Sequence, residues 1–148
     1  MTLQQQIETA MREAMKARAA ARVSTLRLAM AAAHYRQIEL RRELTDDEVI
    51  EVLDRQVKQR QESIELFRRG GREDRARAEE AEIVILRGFM PARLSDGDLE
   101  RLARDAIAAS GATSPADMGR VMGTLVPQTR GRADGRTVSE LVRRLLAG

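Results

Sequence analysis

The residues best suited to chemistry crowd the C-terminal end: Arg120, Arg130, Arg132, Arg136, Arg143 and Arg144. Between Met118 and Gly148 they meet only Asp134 and Glu140, a balance of +4. Just upstream, Ser95–Asp117 sets Arg101 and Arg104 against Asp96, Asp98, Glu100, Asp105 and Asp117, a balance of −3. A guanidinium offers a planar fork of donors that matches phosphate oxygens in pairs. Such a concentration fits a phosphate backbone, and on residue types alone it fits equally a solvated face with local ion pairs, such as Glu140 with Arg144 at i,i+4. Aromatic residues make up only 2% of the chain, with no Trp, so no platform for base stacking is available. Recognition of RNA by these arginines would rest on shape and backbone, which suits a folded RNA better than a single strand.

Other candidates for chemistry are weaker. His34 is the one histidine and stands beside Tyr35 on an expected helix; it cannot build a His-based metal cluster, and no nucleophile elbow accompanies it. Asp46, Asp47 and Glu48 could hold a divalent cation, but their place at a helix start accounts for them without metal. Gly119 and Gly123 lack the Gly-Lys-Ser/Thr and the preceding strand of a P-loop, so they are read as a face for close helix packing. Gly131 and Gly135 are expected to adopt positive φ in a turn, with Asp134 bonding backbone amides locally. No catalytic residue, metal site or cofactor site is assigned, and the absence of cysteine excludes disulfides and thiolate ligands.

These residues must be positioned by helices. Hydrophobic residues are 43% and charged residues 33% of 148, and Ala, Leu, Arg and Glu dominate, so the expected fold is all-α. Only Lys16 and Lys58 are lysines, and the formal net charge is +3. Thr2 and Gln5 form a capping box ahead of Leu3, Ile7, Ala10, Met11, Ala14 and Met15 at helical spacing. A second helix is expected from about Val23 to Leu40, with Leu26, Met30, Ala33 and Ile38 on its apolar side. Thr45 starts a third, with three acids in the first turn and a stop at Gly70-Gly71. A fourth runs from about Arg72 to Phe89, before Pro91.

Ser95 caps the next helix, with Asp98 at the capping-box position and Gly111 as its stop. Ser114-Pro115 opens another, with proline at the first helical position. Pro127 to Gly135 is expected to be loop, and Thr137 with Glu140 a capping box for the last helix. The division is a helical N-terminal unit at 1–92 and a three-helix tail at 93–148. No apolar h-region marks Thr2–Arg22 as a signal peptide, and no apolar run is long enough for a membrane span, so a cytoplasmic protein without membrane attachment is expected.

The order of short motifs resembles the GatB/YqeY family along essentially the whole chain. The motifs are Ser24-Thr25-Leu26-Arg27, Glu43 to Glu48, Val57 to Ser63, Gly71 to Asp74, Ala81-Glu82-Ile83 and Met90-Pro91. Met118 to Gly123 and Gly131 to Gly135 follow, and their separation is the most specific feature. The second half is similar to the C-terminal tail domain of GatB, a component of the aspartyl/glutamyl-tRNA amidotransferase, and the first half to the N-terminal region of free-standing YqeY-like proteins. The resemblance implies a tRNA-binding accessory protein, related to aminoacylation or amidotransferase machinery and not catalytic alone. The tail is the part associated with contacting tRNA in that family. Two alternatives stand beside it: a helical protein-interaction module without RNA contact, and a non-catalytic component of a carbon-nitrogen ligase with glutamine as amido-N-donor.

Overall fold

A computed structural model describes all residues, 1–148. It contains seven α-helices and one 3-10 turn, with no strand: α1 Leu3–Lys16, α2 Ala20–Leu40, α3 Asp46–Arg69, α4 Glu73–Arg87, α5 Asp96–Ser110, the 3-10 turn Pro115–Asp117, α6 Met118–Thr129 and α7 Gly135–Ala147. The fold is all-α. Backbone packing divides it into Met1–Met90 and Pro91–Gly148.

In the first unit α1 and α3 begin where side chains satisfy free amides, while α2 and α4 begin without a side-chain cap. Thr2 and Thr45 each accept a bond from the amide three residues on, and Gln5 and Glu48 reach back to the threonine amides. Asp46 goes further: its carboxylate accepts the Leu3 amide at 2.9 Å, so the start of α3 satisfies the start of α1. Leu26, Leu53, Leu86 and Val49 are the largest side chains sealed in this core. Among them Arg60 is buried, its Nε 2.9 Å from Glu82 on α4 and its Nη1 donating to the Gln56 backbone and side-chain oxygens. The guanidinium thus meets three acceptors, which is what makes its burial tolerable.

Two turns in this unit are made without glycine, and one of them moves a helix boundary. Arg18 and Arg41 hold the left-handed region at φ 57° and 56° without being glycine. Arg18 lets α2 begin at Ala20, three residues earlier than the pattern predicts. Ile38, expected on the buried side of α2, is 71% exposed.

The second unit packs α5, α6 and α7 around Ala103, Val121, Leu125 and Val142, each with no exposed surface. Ser95 accepts the Asp98 amide, and Gly111 ends α5 at φ 70°. Three expectations are corrected here. Pro127 lies inside α6 instead of opening the loop, which is confined to Arg130–Asp134. The amide it lacks would have met the Gly123 carbonyl, and Gly123 is exposed, so water can take that oxygen. Second, α7 begins at Gly135, so Thr137 and Glu140 lie within the helix and form no capping box. Third, a Cβ placed on Gly119 or Gly123 would meet nothing within 4 Å. Neither glycine supports close helix packing; both face open space.

Candidate nucleic-acid interface

The six C-terminal arginines are carried by α6, the loop after it and α7. The loop is shaped by Gly131, buried and at φ 72°, as expected of a turn glycine. Gly135 does not share that geometry: it is the first residue of α7 with ordinary negative φ. Asp134 caps no amide of α7; its carboxylate only accepts a long 3.5 Å bond from the Thr137 hydroxyl. The α7 amides are therefore left without the local carboxylate cap that the sequence suggests.

Two of the arginines have work within the fold, and a third lines an acidic groove. Arg120, at the start of α6, donates to Asp117 at 2.6 Å and to the Ser110 carbonyl at 3.3 Å. Asp117 also accepts the amides of Thr113 at 2.9 Å and Ser114 at 3.3 Å. The Thr113 amide first, and the Arg120 guanidinium next, pull the Asp117 carboxyl from 3.8 to about 2, against a smaller desolvation effect. Arg120 is thus half of a surface knot that joins the end of α5 to the beginning of α6. Arg132 clamps the start of the unit: its Nε donates to the Ala92 carbonyl at 3.1 Å, and its own carbonyl accepts the Leu94 amide at 2.9 Å. Arg144 lines a groove of about 290 Å³ shared with Asp96, Glu100 and Glu140, where acids outnumber it. No ion pair joins it to Glu140, although the i,i+4 spacing suggests one.

Arg136 and Arg143 stand apart from these. Both are exposed and neither makes an ion pair within the chain. They are seven residues apart on α7, which places them within about 20° of one another and roughly 10 Å apart along the axis. Val138, Leu141, Val142 and Leu146 occupy the opposite, buried face. Arg130 caps the C-terminal end of α6, half-buried, at the entrance to the loop. The charge count of the sequence therefore overstates the available charge: Arg120 is held by Asp117, Arg132 holds structure, and Arg144 lies in a groove lined by acids.

The remaining candidates fall to structural roles. His34 is exposed on α2. Asp46 receives the Leu3 amide, and Glu48 receives two bonds from Arg42 and one from the Thr45 amide. The Arg42 guanidinium, then the Thr45 amide, bring Glu48 down to about 2. These carboxylates are occupied as helix-start acceptors. Arg60, which composition and spacing did not single out, is the buried charge of the molecule, and Glu82 and Gln56 satisfy it. No helix is long and apolar enough to cross a membrane.

This geometry defines a class: an all-α protein of two helical units whose last helix presents unpaired arginines from its polar face. The chain belongs to the family of Yqey-like proteins, which it matches over residues 4–146. It is also 34% identical over 94 residues to an uncharacterized protein of Schizosaccharomyces pombe, a match covering 64% of this chain and 76% of the yeast protein.

Proposed function

We propose that the protein is a tRNA-binding accessory protein, related to the glutamine-dependent tRNA amidotransferase machinery, which contacts the RNA backbone through its second unit. The observation that carries this reading is the pair Arg136 and Arg143, exposed on one face of α7 without intramolecular ion-pair partners. Two guanidinium groups roughly 10 Å apart on a rigid helix can each reach a phosphate of a folded RNA. The outer nitrogens of Arg132, at the loop, extend the same chemistry, with Arg130 beside them as a further contact; Arg120 contributes less because Asp117 already holds it, and Arg144 because its groove is lined by acids. The resemblance of this unit to the tail of GatB supports tRNA as the particular RNA.

The role is one of binding. Phosphate contacts hold an RNA in register without reading its sequence, and this set of arginines brings no general acid, base or nucleophile with it. The test is a titration with several tRNAs at graded salt, using Arg136→Gln/Arg143→Gln. Affinity should fall by a similar factor for every tRNA. The slope of log K against log salt should become shallower by somewhat less than about 2, since each lost phosphate contact removes somewhat less than about 1. Unchanged affinity and slope would remove this site, and absence of any tRNA binding at low salt would remove the function.

A further inference from the structure

We propose that the outward face of α2 is a docking seat for an acidic amphipathic helix of a partner protein, a surface separate from the RNA contacts of the second unit. Ala21, Ser24, Leu28, Ala31, Tyr35 and Ile38 follow one another at alternating spacings of three and four, and every one of them is exposed. Leu28, Tyr35 and Ile38 are 53%, 70% and 71% exposed. The 3–4 alternation is the spacing at which one helix receives another, knob into hole. The opposite face of α2, with Thr25, Leu26, Ala29, Met30 and Ala33, already fills the core. A helix that is apolar on both faces ordinarily has a neighbour on both, and the stripe runs roughly 25 Å, long enough for a partner helix of several turns.

The charge around the stripe selects the partner. From Ala14 to Ile38 the chain has no acid, yet it carries Lys16, Arg18, Arg22, Arg27 and Arg36. Arg36 is paired with Glu39, and Arg22 lies 5.6 Å over the Phe89 ring. Arg18 and Arg27 make no ion pair, and both line an open groove of about 600 Å³ with Met15, Val23, Ser24 and Leu28. That groove continues the stripe at the N-terminal end of α2. An apolar floor edged by unpaired guanidiniums calls for aliphatic side chains flanked by carboxylates, the helix-in-groove mode of recognition. A nucleic acid has no aliphatic surface to match Leu28, Tyr35 and Ile38. A second copy of this face would bring Arg18 and Arg27 against a surface equally short of acids.

The test uses the full-length protein and three fluorescent synthetic helical peptides. One carries Leu at 3–4 spacing flanked by Glu; one has Lys for each Glu; one is the acidic peptide scrambled. The first should bind with measurable affinity, tighter than about 1 mM, and at least tenfold tighter than the other two. Arg18→Gln/Arg27→Gln and, separately, Leu28→Ser/Tyr35→Ser should each weaken it at least tenfold while helical circular dichroism is retained. Val84→Ser, which alters an exposed apolar residue on α4, should leave it unchanged. Failure of the first peptide to bind, equal binding of the scrambled or lysine peptide, or indifference to both double variants overturns the proposal. Dimerisation in light scattering that is lost in Leu28→Ser/Tyr35→Ser assigns the face to a second copy. Loss of tRNA affinity without loss of peptide affinity assigns it to RNA; either result overturns the partner-helix reading.

Discussion

Helices α2 and α7 both carry unpaired arginines, and they carry them in different ways. On α7 the division is sharp: Val138, Leu141, Val142 and Leu146 point into the core, while Arg136 and Arg143 stand on the far side among polar residues. On α2 the far side is itself apolar, and Arg27 lines a groove beside Leu28. The same guanidinium group is therefore presented on a wet surface in one case and beside aliphatic carbon in the other. A phosphate, strongly hydrated and without apolar substance, suits the first; a carboxylate borne on a leucine-rich helix suits the second. Counting arginines cannot separate these cases, because the deciding quantity is what lies next to the charge.

The largest expected effect tests whether the two units stand on separate cores. Leu125→Ala empties a site with no exposed surface in the second unit and should cost about 2–5 kcal/mol. In a domain of this size that is a large share of the total stability. Hydrogen exchange should show α5–α7 losing protection while α3 and α4 keep theirs; simultaneous loss throughout would mean that the units share one cooperative transition. A smaller effect is expected in the first unit from Glu82→Ala, which leaves the Arg60 Nε without its acceptor. Since Gln56 still holds Nη1, the cost should be about 1–3 kcal/mol, read as a shifted denaturation midpoint of the first unit.

Glycine substitutions sharpen the picture of the second unit. Gly131→Ala places a side chain at φ 72° in a buried turn and should destabilise by about 1–3 kcal/mol. Gly123→Ala adds a methyl group to an exposed helical position with open space around it and should stabilise by about 0.5–1 kcal/mol. Thermal melts giving both substitutions the same sign would refute this account of one or the other glycine.

The smallest effect is an acid limb, for which each unit has one depressed carboxyl: Glu48 in the first and Asp117 in the second, both at about 2. A carboxyl depressed in the folded state favours folding above its unfolded value and loses that contribution as pH falls toward the folded value. Stability should therefore decline between about pH 4.5 and pH 2. Asp117→Asn should flatten that decline for α5–α7 alone, in melts followed across the range.

How much of this was legible in the sequence depended on whether the signal was local. Thr2, Thr45, Ser95, Gly71 and Gly111 act on amides or dihedrals a few residues away, and each does in space what its spacing suggests. Turns made by Arg18 and Arg41 gave no such sign, because nothing in an arginine announces positive φ. Pro127 and Thr137 misled because proline and threonine ordinarily mark helix edges, and here the surrounding helix overrides them. The candidate interface was the least legible. Arg132 looked like any loop cation until its bond to Ala92, forty positions distant, was visible. The outer stripe of α2 was hidden by its own inner face, since apolar residues all round a helix do not say which side is covered.

The tie between Arg132 and the stretch Ala92–Leu94 has a kinetic side. Its two hydrogen bonds pin the arginine loop to the very start of the second unit, closing a ring of chain that includes all of α5 and α6. A protease that cuts after arginine can reach Arg130 or Arg132 only during moments when this latch is undone. The rate of such nicking in the folded protein thus becomes a clock for loop opening. A fragment beginning at Ser95 keeps all three helices but lacks the strap for the latch, and should be nicked there far sooner than one beginning at Pro91.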